Sequence, residues 1–141
     1  MARIVLDASV TLTWCFEDEA TPWTDASLAG LRAGDEAIVP LHWPAEVANA
    51  LLMAVRRGRI SPEKGSRFFL DLRALPIRID PEGSQTVFNE AYRLAERHGL
   101  TIYDAAYLEL AVRAGLPLAT LDDDLRKAAR ASEVSLVEPQ P

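Results

Sequence analysis

Arg3-Ile4-Val5-Leu6-Asp7-Ala8-Ser9 holds an uninterrupted apolar run, Ile4 to Leu6, that ends on the carboxylate of Asp7. A continuous run, unlike an alternating one, marks a strand buried on both faces, as in a parallel sheet covered by helices on each side. Leu118-Ala119-Thr120-Leu121-Asp122 repeats the pattern near the other end of the chain. Strands are expected at Arg3 to Leu6, Ala37 to Val39, Pro76 to Ile79, Leu118 to Leu121 and Ser135 to Val137.

The stretches between these strands read as helices with definable ends. One runs from Asp25 after Thr24 and stops at Gly34. The next, about Ala45 to Arg57, starts behind Pro44 and closes at Gly58, and Ser61-Pro62 opens the third as cap and first helical residue. Ser84 to Arg97 ends at His98-Gly99, Tyr103 to Ala114 ends at Gly115, and Asp122 to Ala131 is the last. A loose tail is expected over Glu138 to Pro141. This alternation predicts an α/β fold, a three-layer α/β/α sandwich on a central parallel sheet of four to five strands. The 141 residues form one domain, 1–141, with no repeat or long linker.

Apolar residues make up 49% and mean hydropathy is near zero, which excludes a disordered chain and a membrane protein. No stretch approaches the roughly 18 apolar residues of a spanning helix. The single cysteine, Cys15, lies between Trp14 and Phe16 and reads as core, so a cytoplasmic protein without a leader is expected. A net charge of −6 and a pI near 4.9 argue mildly against nucleic acid. Two bound divalent cations would offset about four of those charges, so the balance decides little.

Four acids stand where a parallel sheet collects ligands, at the carboxyl ends of strands or the starts of helices. Asp7 and Asp122 follow strands. Glu46 opens a helix after Pro44, and Asp104 opens another in Tyr103-Asp104-Ala105-Ala106-Tyr107. Each alone reads equally as a helix cap or dipole partner. Together they repel unless a cation lies between them, and hard oxygen ligands without His or Cys select Mg²⁺ or Mn²⁺ over zinc. Asn49, one turn after Glu46 on an apolar helix, is expected to hold a carboxylate in place. His42 and His98 lack ligand spacing and read as structural. Trp14, Trp23 and Trp43 read as core or interface. Arg56, Arg57 and Arg59 suit a helix C-terminus and are candidate RNA-phosphate contacts. Derived from residues alone, the chemistry stops at metal-assisted phosphoryl transfer.

Val5-Leu6-Asp7-Ala8-Ser9, Glu46-Val47-Ala48-Asn49-Ala50-Leu51, Tyr103-Asp104-Ala105-Ala106-Tyr107-Leu108-Glu109-Leu110-Ala111 and Leu116-Pro117-Leu118-Ala119-Thr120-Leu121-Asp122 occur in this order. The set resembles the PIN-domain nucleases, and within them the VapC-type toxins. The resemblance places Asp7, Glu46, Asp104 and Asp122 on the family's acidic positions, and Ser9, Asn49 and Thr120 on its polar supporting positions, with Asp124 as a further acid. It implies a Mg²⁺-dependent endoribonuclease that cleaves RNA and inhibits translation. Its partner would be a cognate antitoxin, in a homodimer or a toxin–antitoxin hetero-oligomer. A guanidinium from that partner would suit the carboxylate pocket. Two alternatives stand beside this reading. One is an inactive RNA- or protein-binding module on the same fold. The other is a phosphoacceptor signalling domain, although neither Lys64 nor Lys127 follows a late strand.

Overall fold

The computed structural model describes residues 1–138. Four strands form one parallel sheet: β1 (Arg3–Leu6), β2 (Glu36–Val39), β3 (Ile77–Ile79) and β4 (Leu118–Ala119), in the order β3-β2-β1-β4. Val5 stands opposite Ile38 of β2 and Leu118 of β4, so β1 is central. Parallel neighbours need long crossovers, and helices supply them: α1 (Ala8–Thr13), α2 (Pro22–Arg32), α3 (Trp43–Arg56), α4 (Pro62–Arg73), α5 (Tyr92–His98), α6 (Ile102–Ala114) and α7 (Asp123–Ala131). Successive residues of a strand face opposite sides, and Val5, Leu6, Ala37 and Val39 are all buried. Helices therefore cover both faces, giving the expected three-layer sandwich.

The chain specifies most helix ends locally. Ser61 accepts from the Lys64 amide at 3.1 Å and Thr101 from the Asp104 amide at 3.1 Å. Gly99 and Gly115 close α5 and α6 with φ of +67° and +65°, a conformation that costs a side chain but not glycine. Thr21 and Thr24 cap α2 reciprocally, so this helix starts earlier than expected.

Several expectations need correction. The strand beginning at Leu118 pairs only to Ala119, because the Asp7 amide donates to the Ala119 carbonyl at 2.9 Å and the chain then turns away. The fifth strand reduces to a single parallel bridge between Leu118 and Leu136. The Ser84 to Arg97 helix is broken into a 3₁₀ turn, a π turn at Val87–Ala91 and α5. Glu138 is not loose: its Oε1 accepts from both Arg126 and Arg130 at 2.8 Å. Pro139 to Pro141 lie outside the described residues.

The core gathers Leu6, Leu31, Leu51, Tyr107, Leu108, Leu118 and Leu125, with Cys15 among them as expected. Burial pushes the Cys15 thiol up, away from the thiolate. Trp43 is also buried, its indole donating to Thr11 at 3.2 Å, and so offers no interface. Among the described residues no helix is long and apolar enough to cross a membrane.

A second framework was not legible in the sequence. Arg113 of α6 pairs with Asp80, just after β3, at 2.6 Å and with Glu109 at 2.8 Å, and reaches Glu82 at 3.3 Å. Asp80 and Glu109 are nearly buried. Burial alone would raise the Asp80 carboxyl; the Arg113 guanidinium and the Glu82 and Gly83 amides together outweigh it and hold the group below its ordinary value. This network ties α6, and with it Asp104, to the sheet edge at β3.

Candidate active site

The four acids lie where the sheet's carboxyl ends meet the starts of α3, α6 and α7. Asp7 is 5% exposed and precedes α1, yet its side chain does not cap that helix. Its Oδ2 instead accepts from Ser9 Oγ at 2.7 Å and Thr120 Oγ1 at 2.6 Å. The bland reading of Asp7 as a cap therefore fails. Burial pushes its carboxyl up, and the two hydroxyls pull it back.

Thr120 works in two directions. Its hydroxyl donates to Asp7 and accepts from the Asp122 amide at 3.1 Å, while Ser9 Oγ accepts from the Leu121 amide at 3.0 Å. These bonds fix the Thr120–Asp122 turn against the Asp7–Ser9 turn. Asp122 is a true cap, its Oδ1 accepting from the Leu125 amide at 2.8 Å.

Glu46, in the first turn of α3, is held from α6: Tyr107 donates from its phenol to Oε1 at 2.6 Å. His42, four residues earlier, has Nε2 only 3.0 Å from the same oxygen. It lies out of line for a hydrogen bond, which leaves that nitrogen buried without a partner. Tyr107 and His42 were not foreseen as parts of the site. Their signals were helical spacing alone, Tyr107 three residues after Asp104 and His42 four before Glu46.

Asp104 reports the combined field. Its carboxyl is pushed up to about 6, first by burial and then by the charges of Asp122, Asp7 and Glu46. The structure thus brings the four acids into one electrostatic neighbourhood. They do not form a ready cage, however. Among the described residues no group of three or more His, Cys, Asp or Glu side chains is disposed to hold an ion. Asp7 is bonded to two hydroxyls, Asp122 to its own helix and Glu46 to Tyr107.

Other candidates fall elsewhere. Asn49 is exposed on α3, and among the described residues its side chain makes no hydrogen bond, so Tyr107 does what Asn49 was expected to do. Asp124 is exposed and lines a separate hollow with Arg97, His98 and Lys127. Arg59 is engaged by Asp18 at 2.9 Å and Glu19 at 3.2 Å, its guanidinium 4.0 Å from the Phe16 ring centroid. Arg56 and Arg57 are exposed.

The PIN domain family model matches residues 4–131. The chain belongs to the PIN-domain family. This PIN domain is 34% identical over 135 residues to the ribonuclease VapC12 of Mycobacterium tuberculosis, spanning 95% of this chain and 98% of that protein. It superposes on a chain of a toxin–antitoxin complex from Klebsiella pneumoniae with a TM-score of 0.65, at 17% identity, covering 99% of this chain and 100% of that one. VapBC2 of Rickettsia felis, bound to a DNA fragment from its promoter, gives 0.63 at 14% identity over 95% of this chain and 96% of that chain. At such identities the structural likeness concerns the fold.

Proposed function

We propose that this PIN domain is a Mg²⁺-dependent endoribonuclease, with Mn²⁺ able to substitute, acting as a cytoplasmic toxin that inhibits translation until a cognate antitoxin neutralises it. The observation that carries the reading is the shared field of Asp7, Glu46, Asp104 and Asp122, strong enough to push Asp104 up to about 6. Ordinary caps do not need one another's company, and a partly buried carboxylate cluster is unfavourable without a cation. The ribonuclease name of the relative in Mycobacterium tuberculosis and the toxin–antitoxin complex from Klebsiella pneumoniae support the activity and the partner.

The donor set fits the ion. All four candidate ligands are carboxylate oxygens, which suit Mg²⁺ or Mn²⁺, and a cation would relieve the repulsion that raises Asp104. Asp7, Glu46, Asp104 and Asp122 would hold it. When bound, the cation would polarise the phosphodiester and favour deprotonation of the attacking water. The chain's own contribution is orientation. Ser9 and Thr120 fix Asp7, and Tyr107 fixes Glu46. A guanidinium from an antitoxin would pair with the same carboxylates and exclude substrate and metal together.

The test is cleavage of a single-stranded RNA oligonucleotide by purified protein across a Mg²⁺ titration, with growth compared when the chain is expressed alone and beside its gene neighbour. Metal-dependent cutting and toxicity relieved by the neighbour are expected. Metal-independent cutting, or none at millimolar Mn²⁺, would refute the metal-dependent ribonuclease.

A further inference from the structure

Three large apolar side chains left in solvent flank acidic-site residues in the chain and form the site's rim. Leu41 is 66% exposed, Tyr103 62% and Leu121 38%. Each adjoins a residue of the site in the chain. Leu41 precedes His42, whose Nε2 lies 3.0 Å from Glu46. Tyr103 precedes Asp104, and Leu121 stands between Thr120 and Asp122. They arrive from separate places: beyond β2, from the first turn of α6 and beyond β4.

Tyr103 is braced although exposed. Its ring meets that of His42 edge-on at 5.4 Å, and His42 meets Tyr107 edge-on at 5.2 Å. An aromatic ring held from behind, with most of its surface in water, is a ready platform for another flat group. The cation nearest this rim in the chain is already committed: Arg126 donates to the Thr120 carbonyl at 2.9 Å and to Glu138 at 2.8 Å. The four carboxylates beside the rim offer a phosphate backbone no attraction of their own, so the bases are the better handle.

We propose that Leu41, Tyr103 and Leu121 grip the unpaired nucleobases flanking the scissile phosphate, with Tyr103 as the stacking platform. The substrate is then single-stranded RNA held by its bases. This rests on the ribonuclease reading. A π face accepts any base, so the grip is tolerant of sequence, and it requires bases that are not already stacked in a duplex. The rim supplies affinity while the carboxylates orient the reacting phosphate.

The test follows single-stranded RNA cleavage at saturating Mn²⁺ in variants of the rim. Tyr103→Ala should raise KM roughly tenfold, the scale of losing one stacked base, with kcat nearly unchanged, and Tyr103→Phe should recover most of the loss. Phe88→Ala, which removes a still more exposed ring on the turn before α5, should alter neither constant. Wild-type KM should rise far less than the roughly thousandfold expected of a backbone-gripping protein between about 50 and 200 mM salt. RNA carrying 2-aminopurine beside the cleavage point should be quenched on binding Asp7→Asn, and not on binding Asp7→Asn with Tyr103→Ala. Unaltered KM or unaltered quenching in the Tyr103→Ala proteins would overturn the proposal. So would a Tyr103→Ala protein that binds RNA normally but fails to co-purify with the neighbouring gene's product, which would assign the rim to a protein interface. The quenching assay needs no cleavage. If wild-type protein cuts nothing yet Tyr103 still quenches, the stacking rim stands and the nuclease reading falls.

Discussion

The Tyr107 phenol donates to Glu46 across 61 positions of chain, at 2.6 Å. Tyr107 is fully buried, and it shares its face of α6 with Asp104 one turn earlier. A core residue and a candidate ligand are thereby built on the same helix, and packing of the core fixes the geometry of the acids.

Tyr107→Phe keeps the packing and removes only the bond. We expect about a tenfold or greater loss in activity, typical of losing a partner that orients a metal ligand. Stability should fall by only about 1 kcal/mol. Kinetics beside thermal denaturation checks this, and full activity with an unchanged metal dependence would mean that Glu46 needs no positioning.

Asp7→Asn should abolish cleavage while the fold survives. The amide oxygen can still accept from Ser9 and Thr120, and a buried carboxylate whose ionisation burial opposes is replaced by a neutral group. Cleavage at millimolar Mg²⁺ with wild-type rate would remove Asp7 from the site.

Asp104 gives a pH signature in metal-free protein. Its folded value of about 6 lies above the unfolded 3.8, so between these values the native state holds the extra proton. Stability from this group is present at acid pH and is lost as pH rises through about 6. The melting temperature of wild type relative to Asp104→Asn should therefore fall from pH 4.5 to pH 7. Mn²⁺ competes with that proton, so the stabilisation it gives by binding the folded state should grow over the same interval. A Mn²⁺ effect flat in pH would exclude Asp104 from the ligands.

Arg113→Met should destabilise the protein by about 3–5 kcal/mol, the usual cost of leaving buried charges unpaired. The bereft groups are Asp80 and Glu109. The deficit should shrink as pH falls from 7 toward 4.5 and Asp80, no longer held down by Arg113, takes up a proton. Chemical denaturation at both pH values measures it; an equal deficit at each would attribute the loss to packing.

The fold was legible because its strongest signals are local: continuous apolar strands, and caps such as Ser61 and Gly115 at readable positions. What escaped depended on distant partners. α1 is six residues long and contains the β-branched Val10, Thr11 and Thr13, poor helix formers that burial stabilises instead. Asp80 and Arg113 are 33 residues apart, and nothing in either neighbourhood announces the other. The four acids were readable as a set, since strand ends and helix starts converge in any sheet of this kind. Their mutual repulsion was readable with them; the bond from Tyr107 and the misaligned His42 were not, because side-chain direction depends on packing. Asn49 shows the converse: its composition on an apolar helix suggested a buried amide, but it points to solvent.

Arg126 spans from the Thr120 carbonyl to Glu138, so the last described residue is fastened to the turn that carries Asp122. Handling of the chain's far end is therefore not neutral. An affinity tag or reporter joined beyond Glu138 would load the guanidinium that steadies this turn, whereas one at the amino end would load Ala2, which is bonded to Asp35 and Glu36 at the opposite rim of the sheet from the acids. Fusions for assay or imaging belong at the amino end.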